Sequence, residues 1–415
     1  MYKKTKCCIC FIVLLVLLCS VGCSMKTGND ATKEQVPTEI ETVVDATETQ
    51  TEEAPKKITL MMIGDNLLHP SVMRTGYMED GSRNYTHLFQ PLKAYLDFSD
   101  IKIINQETIF GGNDREFTGF PYFNSPTEVG DAIVEAGFNV VLHASNHTAD
   151  QKISGMLHCI EYWKQYPEML VLGMFEEEKE NQDIGLLEIE GVTFAILNYT
   201  YGPNFPSIES SIQGHLGMLC DWDEDTGAID FKTIHPDVLT DIQKAKELAD
   251  VVIVCPHWGN EYITTPSKVQ ETFALQMTEA GADVIIGTHP HVVQPVQWIE
   301  SENGNRALCY YSLGNYVSGQ DQAISMLEAM AWITFSVEEN RVEILEEETG
   351  VIPMVCHYEN GPRNHQVYML EDYTSELANS HGIRQFGVYL SYEDLLMWSD
   401  EILGEWILGS KEVLE

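Results

Sequence analysis

From Lys57 onward, short apolar runs alternate with stretches in which apolar residues recur at helical spacing. The runs predict strands over Ile58–Ile63, Ile101–Ile104, Asn139–Leu142, Leu170–Gly173, Val192–Leu197, Val251–Cys255, Val284–Ile286, Val292–Ile299, Ala307–Tyr311 and Ala331–Val337. The helical spacing predicts helices over His87–Asp97, Thr127–Ala136, Gln151–Gln165, Asp237–Ala249 and Ser267–Ala280. Strand–helix alternation of this kind implies βαβ units in an α/β fold, with a largely parallel sheet buried on both faces. The stretch Leu186–Leu197 turns at Glu190-Gly191 and reads as a hairpin, so the sheets are expected to be mixed. Beyond residue 351 the pattern changes to separate aromatic and acidic patches and a helix over Tyr392–Leu408, read as a C-terminal extension (352–415) packing on the main domain (58–351).

The first 57 residues follow other rules. Lys3, Lys4 and Lys6 precede an unbroken apolar run, Phe11–Leu18, and a small-residue exit at Ser20-Val21-Gly22-Cys23, the pattern of an export signal over residues 1–23. Gly22-Cys23 resembles a bacterial lipoprotein signal. A lipid-modified Cys23 would anchor the exported chain to the membrane, facing outside, with cleavage and secretion as the alternative. Residues 24–57 are rich in Thr and Glu and nearly free of aromatics, so they cannot bury enough apolar area to offset ordering, and they read as a disordered tether.

Charge narrows the partners. The 415 residues carry 24 Lys and Arg against 64 Asp and Glu, a net −40. Affinity for nucleic acid comes from clustered basic residues, so no nucleic-acid partner is expected. A body this acidic attracts cations and repels polyanions at long range. Beyond the signal, Cys159, Cys220, Cys255, Cys309 and Cys356 are scattered and odd in number, which does not make a disulfide framework.

The chemistry follows the strands. Successive strand ends lead into Gly64-Asp65 with His69 beyond, Asn105-Gln106-Glu107, Ser145-Asn146-His147 with Asp150, Pro256-His257-Trp258, and Thr288-His289-Pro290-His291. In open α/β sheets the carboxyl ends of the strands line one crevice, so these groups should converge. Asp, Glu, Asn and His together suit Mn, Zn or Fe. His289 and His291, at i and i+2, are expected to point the same way from an extended segment. There is no G-x-S-x-G, no G-x-x-x-x-G-K-[ST], no H-E-x-x-H and no G-x-G-x-x-G after the first strand, which disfavours a serine hydrolase, a P-loop NTPase, a zincin or a dinucleotide enzyme. Trp258, Tyr262 and Tyr316 read either as a cleft border or as packing, and Arg115 and Lys268 either as anion contacts or as ordinary surface charges.

The ordered set Asp65, Asn105-x-Glu107, Ser145-Asn146-His147 with Asp150, His257 to Tyr262, His289-Pro290-His291 and Tyr311 to Tyr316 resembles the CapA-type capsule synthesis family over about residues 58–335. The resemblance implies a calcineurin-like metallophosphoesterase fold, a four-layer αββα sandwich with mixed sheets and the motifs at one edge. It implies two divalent metal ions bridged by Glu107, with Asp65 and His291 on one and Asn146, His257 and His289 on the other. His147 would donate a proton, oriented by Asp150. His69 departs from the family pattern, Asp-x-x-x-His standing in place of Asp-x-His, and is a weaker ligand candidate; Glu107 stands where the phosphoesterases carry Asp. The implied function is surface biosynthesis or attachment of a poly-γ-glutamate capsule by hydrolysis or transfer, on an anionic polymer or a phosphoester and alongside membrane capsule-synthesis proteins. Two alternatives stay open: a non-catalytic capsule-assembly component, and a surface metallophosphoesterase.

Overall fold

Along β1 (Lys56–Asn66), Ile58, Leu60 and Met62 point to one side and Met61 and Ile63 to the other, and all five are inaccessible to solvent. A strand buried on both faces belongs to the inner layers of a sandwich. The computed structural model, which describes residues 55–177, 184–338, 341–359 and 363–414, bears this out. Ile58, Leu60 and Met62 pack against Phe194, Ile253, Val284 and Leu308 of a second sheet. Met61 and Ile63 pack against helical Val72, Ile133 and Met156. On the far side of the second sheet, Leu197, Val254 and Ile285 meet Ile242, Phe273 and Met277 of two further helices. The layers are therefore helix, sheet, sheet, helix: the expected four-layer αββα sandwich.

The first half of the chain runs β1, α1 (Pro70–Thr75), α2 (Lys93–Phe98), β2 (Ile101–Asn105), α3 (Glu128–Ala136), β3 (Val140–Leu142), α4 (Lys152–Trp163) and β4 (Leu170–Leu172). The hairpin β5 (Gly185–Ile189) and β6 (Val192–Thr200) follows, turning at Glu190 and Gly191 as the sequence predicts, and then the small hairpin β7 (Cys220–Trp222) and β8 (Ile229–Ile234). Next come α5 (Pro236–Leu248), β9 (Val251–His257), α6 (Lys268–Ala280), β10 (Val284–Ile286), β11 (Val296–Glu300), β12 (Arg306–Tyr310) and β13 (Asn315–Val317). The chain closes with β14 (Leu327–Glu338), β15 (Arg341–Ile344), β16 (Gly350–Glu359), β17 (Arg363–Met369), α7 (Ser375–Ser380) and α8 (Tyr392–Leu403). One sheet orders its strands β17-β16-β14-β1-β2-β3-β4, the other β11-β12-β10-β9-β6-β5. β1 to β4 are mutually parallel, as are β6, β9, β10 and β12, while β14, β16 and β17 run antiparallel, so both sheets are mixed.

Several boundaries shift for local reasons. The helix expected over His87–Asp97 is two 3₁₀ turns, Thr86–Leu88 and Gln90–Leu92, followed by α2. Pro91 has no N–H to give a continuous α-helix. The strand expected from Val292 begins at Val296, after Pro295. The helix expected to reach Leu408 stops at Leu403, where Gly404 takes a left-handed φ of 51°. β1 begins at Lys56, inside the expected tether 24–57. The division expected at 351/352 falls within β16; residues 350–369 supply two strands of the first sheet, and Leu390, Leu395 and Leu403 join the core between the sheets. Residues from Ala54 onward form one compact unit. The export signal, Cys23 and most of the tether lie outside the described residues. No described helix is long and apolar enough to cross a membrane. The five body cysteines are buried and unpaired.

Candidate metal centre

The carboxyl ends of β1, β2 and β3 in one sheet and of β9 and β10 in the other meet at one edge of the sandwich. At the tip of β1 the register with β2 shifts between Ile63 and Asp65, and Asp65 pairs with Asn105 on one side and with Asn315 of β13 on the other. A bulge re-aims a side chain. Gly64 is required there, because a Cβ on it would stand 2.0 Å from the Gly314 carbonyl oxygen. The extended segment expected at His289 and His291 is a tight turn instead, with φ of 98° and 57° at the two histidines. Left-handed φ at non-glycine residues is strained and persists where the surroundings impose it.

The turn brings His289 and His291 together with Glu107, one donor atom of each lying within 4.8 Å of the others. His291 Nδ1 sits 3.1 Å from Asp65 Oδ2 and 3.0 Å from Asn315 Oδ1. Facing two acceptors, Nδ1 carries a proton, and Nε2 faces Glu107 at 3.8 Å. Such a carboxylate–histidine pair fixes the tautomer of a metal-ligating ring. Asp65 also accepts from the Asn105 amide at 2.7 Å and from the His289 backbone N–H at 3.1 Å. His257 donates from Nε2 to Asn146 Oδ1 at 2.9 Å, bonds Thr288 through Nδ1 at 3.0 Å, and lies 3.8 Å from Asp65 and 3.9 Å from Glu107. Asp65, Glu107, Asn146, His257, His289 and His291 are thus one cluster, and all are buried.

Both Glu107 oxygens are buried without a hydrogen-bond partner, as is His289 Nδ1. Burial, and next Asp65, hold the Glu107 carboxyl well above the usual carboxylate range. Burial pulls His291 down, but Glu107 and Asp65 outweigh it and carry it up to about 9. His257 and His289 stay neutral, pushed well below the ordinary histidine value by burial and by their neighbouring histidines. Orphaned buried carboxylate oxygens are costly. An oxygen and imidazole donor set around them fits a divalent metal ion.

His147 and Asp150 stand beside the cluster. His147 donates from Nδ1 to Asp150 Oδ2 at 2.7 Å, and the same oxygen accepts the Phe123 backbone N–H at 2.6 Å. The Phe123 ring meets the His147 ring edge to face at 4.6 Å. His69 is not among the clustered donors. Its Nδ1 accepts the Gly319 backbone N–H at 3.1 Å, and burial and the charge of His291 lower it to about 4. Tyr316 is fully buried and stacks on Phe89, and Trp258 donates to the Tyr311 carbonyl, so both pack. Tyr262 is half-buried, its ring 6.0 Å from that of His291. Arg115 is tied to Gln151 and Ser154, and Lys268 to Glu271 on the surface.

Two site residues carried no usable signal in the sequence. Asn204 reaches over both ring nitrogens of His147 at 3.2 and 3.3 Å and accepts from Asn146 at 2.8 Å. Tyr201 lays its ring parallel to that of His257 and 4.7 Å from that of His289. Both come from the loop after β6, a strand end that the motif pattern did not single out. Asn315, inside the Tyr311 to Tyr316 motif, holds His291, a role the motif alone did not reveal.

Residues 59–320, which include every member of the cluster, match the family described as bacterial capsule synthesis protein PGA_cap. The chain is 28% identical over 314 residues to a capsule biosynthesis protein CapA of Bacillus anthracis, covering 72% of this chain and 67% of that protein. It is 31% identical over 210 residues to a PGA biosynthesis protein CapA of Bacillus subtilis (strain 168), covering 50% of this chain and 49% of the other, so the match spans about half of that relative. Among solved structures, a hypothetical protein from Thermus thermophilus aligns at 12% identity and a TM-score of 0.40 over 71% of this chain and 98% of that one. The calcineurin-like phosphoesterase YfkN from Bacillus subtilis aligns at 12% identity and a TM-score of 0.38 over 70% of this chain and 89% of that one. With well over half of its length matched by the family pattern, this chain belongs to the bacterial capsule synthesis protein PGA_cap family.

Proposed function

We propose that this protein is a metal-dependent enzyme of capsule polymer biosynthesis or attachment that works at the outer surface of the membrane. It hydrolyses or transfers γ-glutamyl bonds of an anionic polymer, poly-γ-glutamate, or the bond of a phosphoester substrate. The observation that carries this reading is the buried Glu107 carboxylate, neither oxygen hydrogen-bonded, clustered with His289 and His291. In this reading Glu107, together with Asp65, His291, Asn146, His257 and His289, would hold divalent ions, Mn, Zn or Fe. Ions held there supply Lewis acidity to a phosphoryl or carbonyl oxygen. Asp65, bonded to His291 Nδ1, would orient Nε2 toward a bound ion. Asp150 fixes the His147 ring with Nδ1–H bound, so that its other nitrogen can hold a proton for the leaving group. Asn204 and Phe123 both contact the ring and restrict it. His69 acts as a neighbour of the site rather than a ligand, since Gly319 occupies its Nδ1. Residues 24–55, anchored by a lipid-modified Cys23, tether the enzyme to the membrane beside the capsule-synthesis proteins.

The test is elemental analysis of residues 55–415 purified without chelators, with Glu107→Ala alongside. About two transition metals per chain, lost in the variant, together with turnover of a phosphodiester or γ-glutamyl substrate, is the expected result. A metal-free wild type that rejects added Zn and Mn sinks the enzyme reading and leaves a non-catalytic assembly protein. Incorporation of radiolabelled palmitate that stops in Cys23→Ala tests the anchor.

A further inference from the structure

A cavity of about 560 Å³ opens beside His289 and extends along the β7–β8 hairpin. That size lies within the range of small-molecule sites. Its deep side is apolar, with Leu219 and Phe273 buried in the core of the second sheet. Its wall is a relay of rings: Tyr201 lies 4.7 Å from His289, and Phe231 lies 5.8 Å from Tyr201. Lys232, next to Phe231 on β8, is the one basic side chain on the lining among the described residues; Glu261 is the one carboxylate. In a chain of net charge −40, Lys232 makes no ion pair among the described residues. The acid nearest to it in sequence, Asp230, is engaged by the Thr233 hydroxyl at 2.7 Å and the backbone N–H of Lys232 at 3.1 Å, and feels the Lys232 charge without forming an ion pair with it.

We infer that this cavity is a substrate subsite for a unit bearing a free carboxylate, which pairs with Lys232 while the aliphatic stem lies along Tyr201 and Phe231. Glu261 is placed to accept an amide N–H of the same unit. The inference rests on the anionic-polymer reading above and adds to it where the chain is gripped. An acidic surface repels such a polymer elsewhere, so a cation on the lining of the cavity that reaches His289 sets which unit enters. Because Lys232 is exposed, its pairing is modest and screened by salt.

The experiment measures binding of fluorescent tetra-γ-glutamate, and of the same tetramer with its α-carboxylates converted to amides, to the metal-loaded protein at low salt. Lys232→Ala should weaken the acid about three- to fivefold and Lys232→Glu about tenfold or more, with the amide tetramer unchanged in both. Phe231→Ala should weaken both tetramers. Wild-type affinity for the acid in Lys232→Glu, or no preference of the wild type for acid over amide, overturns the subsite. Lys232-dependent binding without metal-dependent turnover keeps the subsite and refutes the catalytic role, whereas turnover with an unchanged KM in Lys232→Glu does the reverse.

Discussion

Replacing Glu107 by Gln should stabilise the protein in chelator and destabilise it relative to wild type once metal is added. Glu107 is 0% exposed, neither oxygen has a hydrogen-bond partner, and burial with Asp65 opposes its ionised form. An unsatisfied buried polar group costs about 1–3 kcal/mol, and a charged one more. Gln keeps the shape, removes the repulsion from Asp65 and brings N–H groups into a region where Asp65 accepts. A gain of about 1–2 kcal/mol without metal follows. With metal at a hundred times its Kd, linkage adds about 2.7 kcal/mol to the wild type, most of which the variant forgoes. The sign of the difference therefore reverses between the two conditions. Equilibrium urea unfolding of residues 55–415 at about pH 7.5, with EDTA and then with Mn or Zn, reads it as a shift in midpoint at unchanged slope. A variant that is less stable by the same amount in both conditions would show that Glu107 supports the fold and not a cation, and the reasoning would fail.

Three further outcomes are expected. His143 is 1% exposed, accepts from the Trp163 indole at 2.8 Å, and is held by burial at about 3, so the folded state keeps it neutral while the unfolded chain protonates it near 6.5. Its contribution is complete above about pH 6.5 and is lost as pH falls toward 3, so the stability advantage of wild type over His143→Gln should shrink by about 2 kcal/mol between pH 7 and pH 5; a constant difference refutes this. Gly64→Ala places a methyl 2.0 Å from the Gly314 carbonyl oxygen, and should lose about 3 kcal/mol or more together with bound metal, checked by unfolding and elemental analysis. Asp150→Asn should lower turnover of an alkyl phosphodiester, whose leaving alkoxide needs a proton, about 10- to 100-fold while metal content is unchanged; equal rates would remove His147 from the proton-donor role.

Local pattern determined much of this protein. Strands such as β1, β6 and β9 are legible as apolar runs because both of their faces are buried, and the Glu190-Gly191 turn marks its hairpin by backbone preference alone. Asp65, Glu107, Asn146, His257, His289 and His291 could be selected together because parallel strands end on the same side, which places residues just past their carboxyl ends near one another whatever the side-chain detail. Long-range pairing decided the rest. Nothing local in residues 350–369 says that they extend the first sheet beside β14, because an antiparallel partner is chosen by burial across the whole layer. The left-handed turn at His289 and His291, the bulge at Gly64, and the placing of Asn204 and Tyr201 over the histidines arise only where two sheets and their loops crowd into one edge. Contacts between groups about a hundred residues apart, such as His257 with Asn146, leave no periodicity in the chain, so the residue types of the site were readable in order, and their geometry was not.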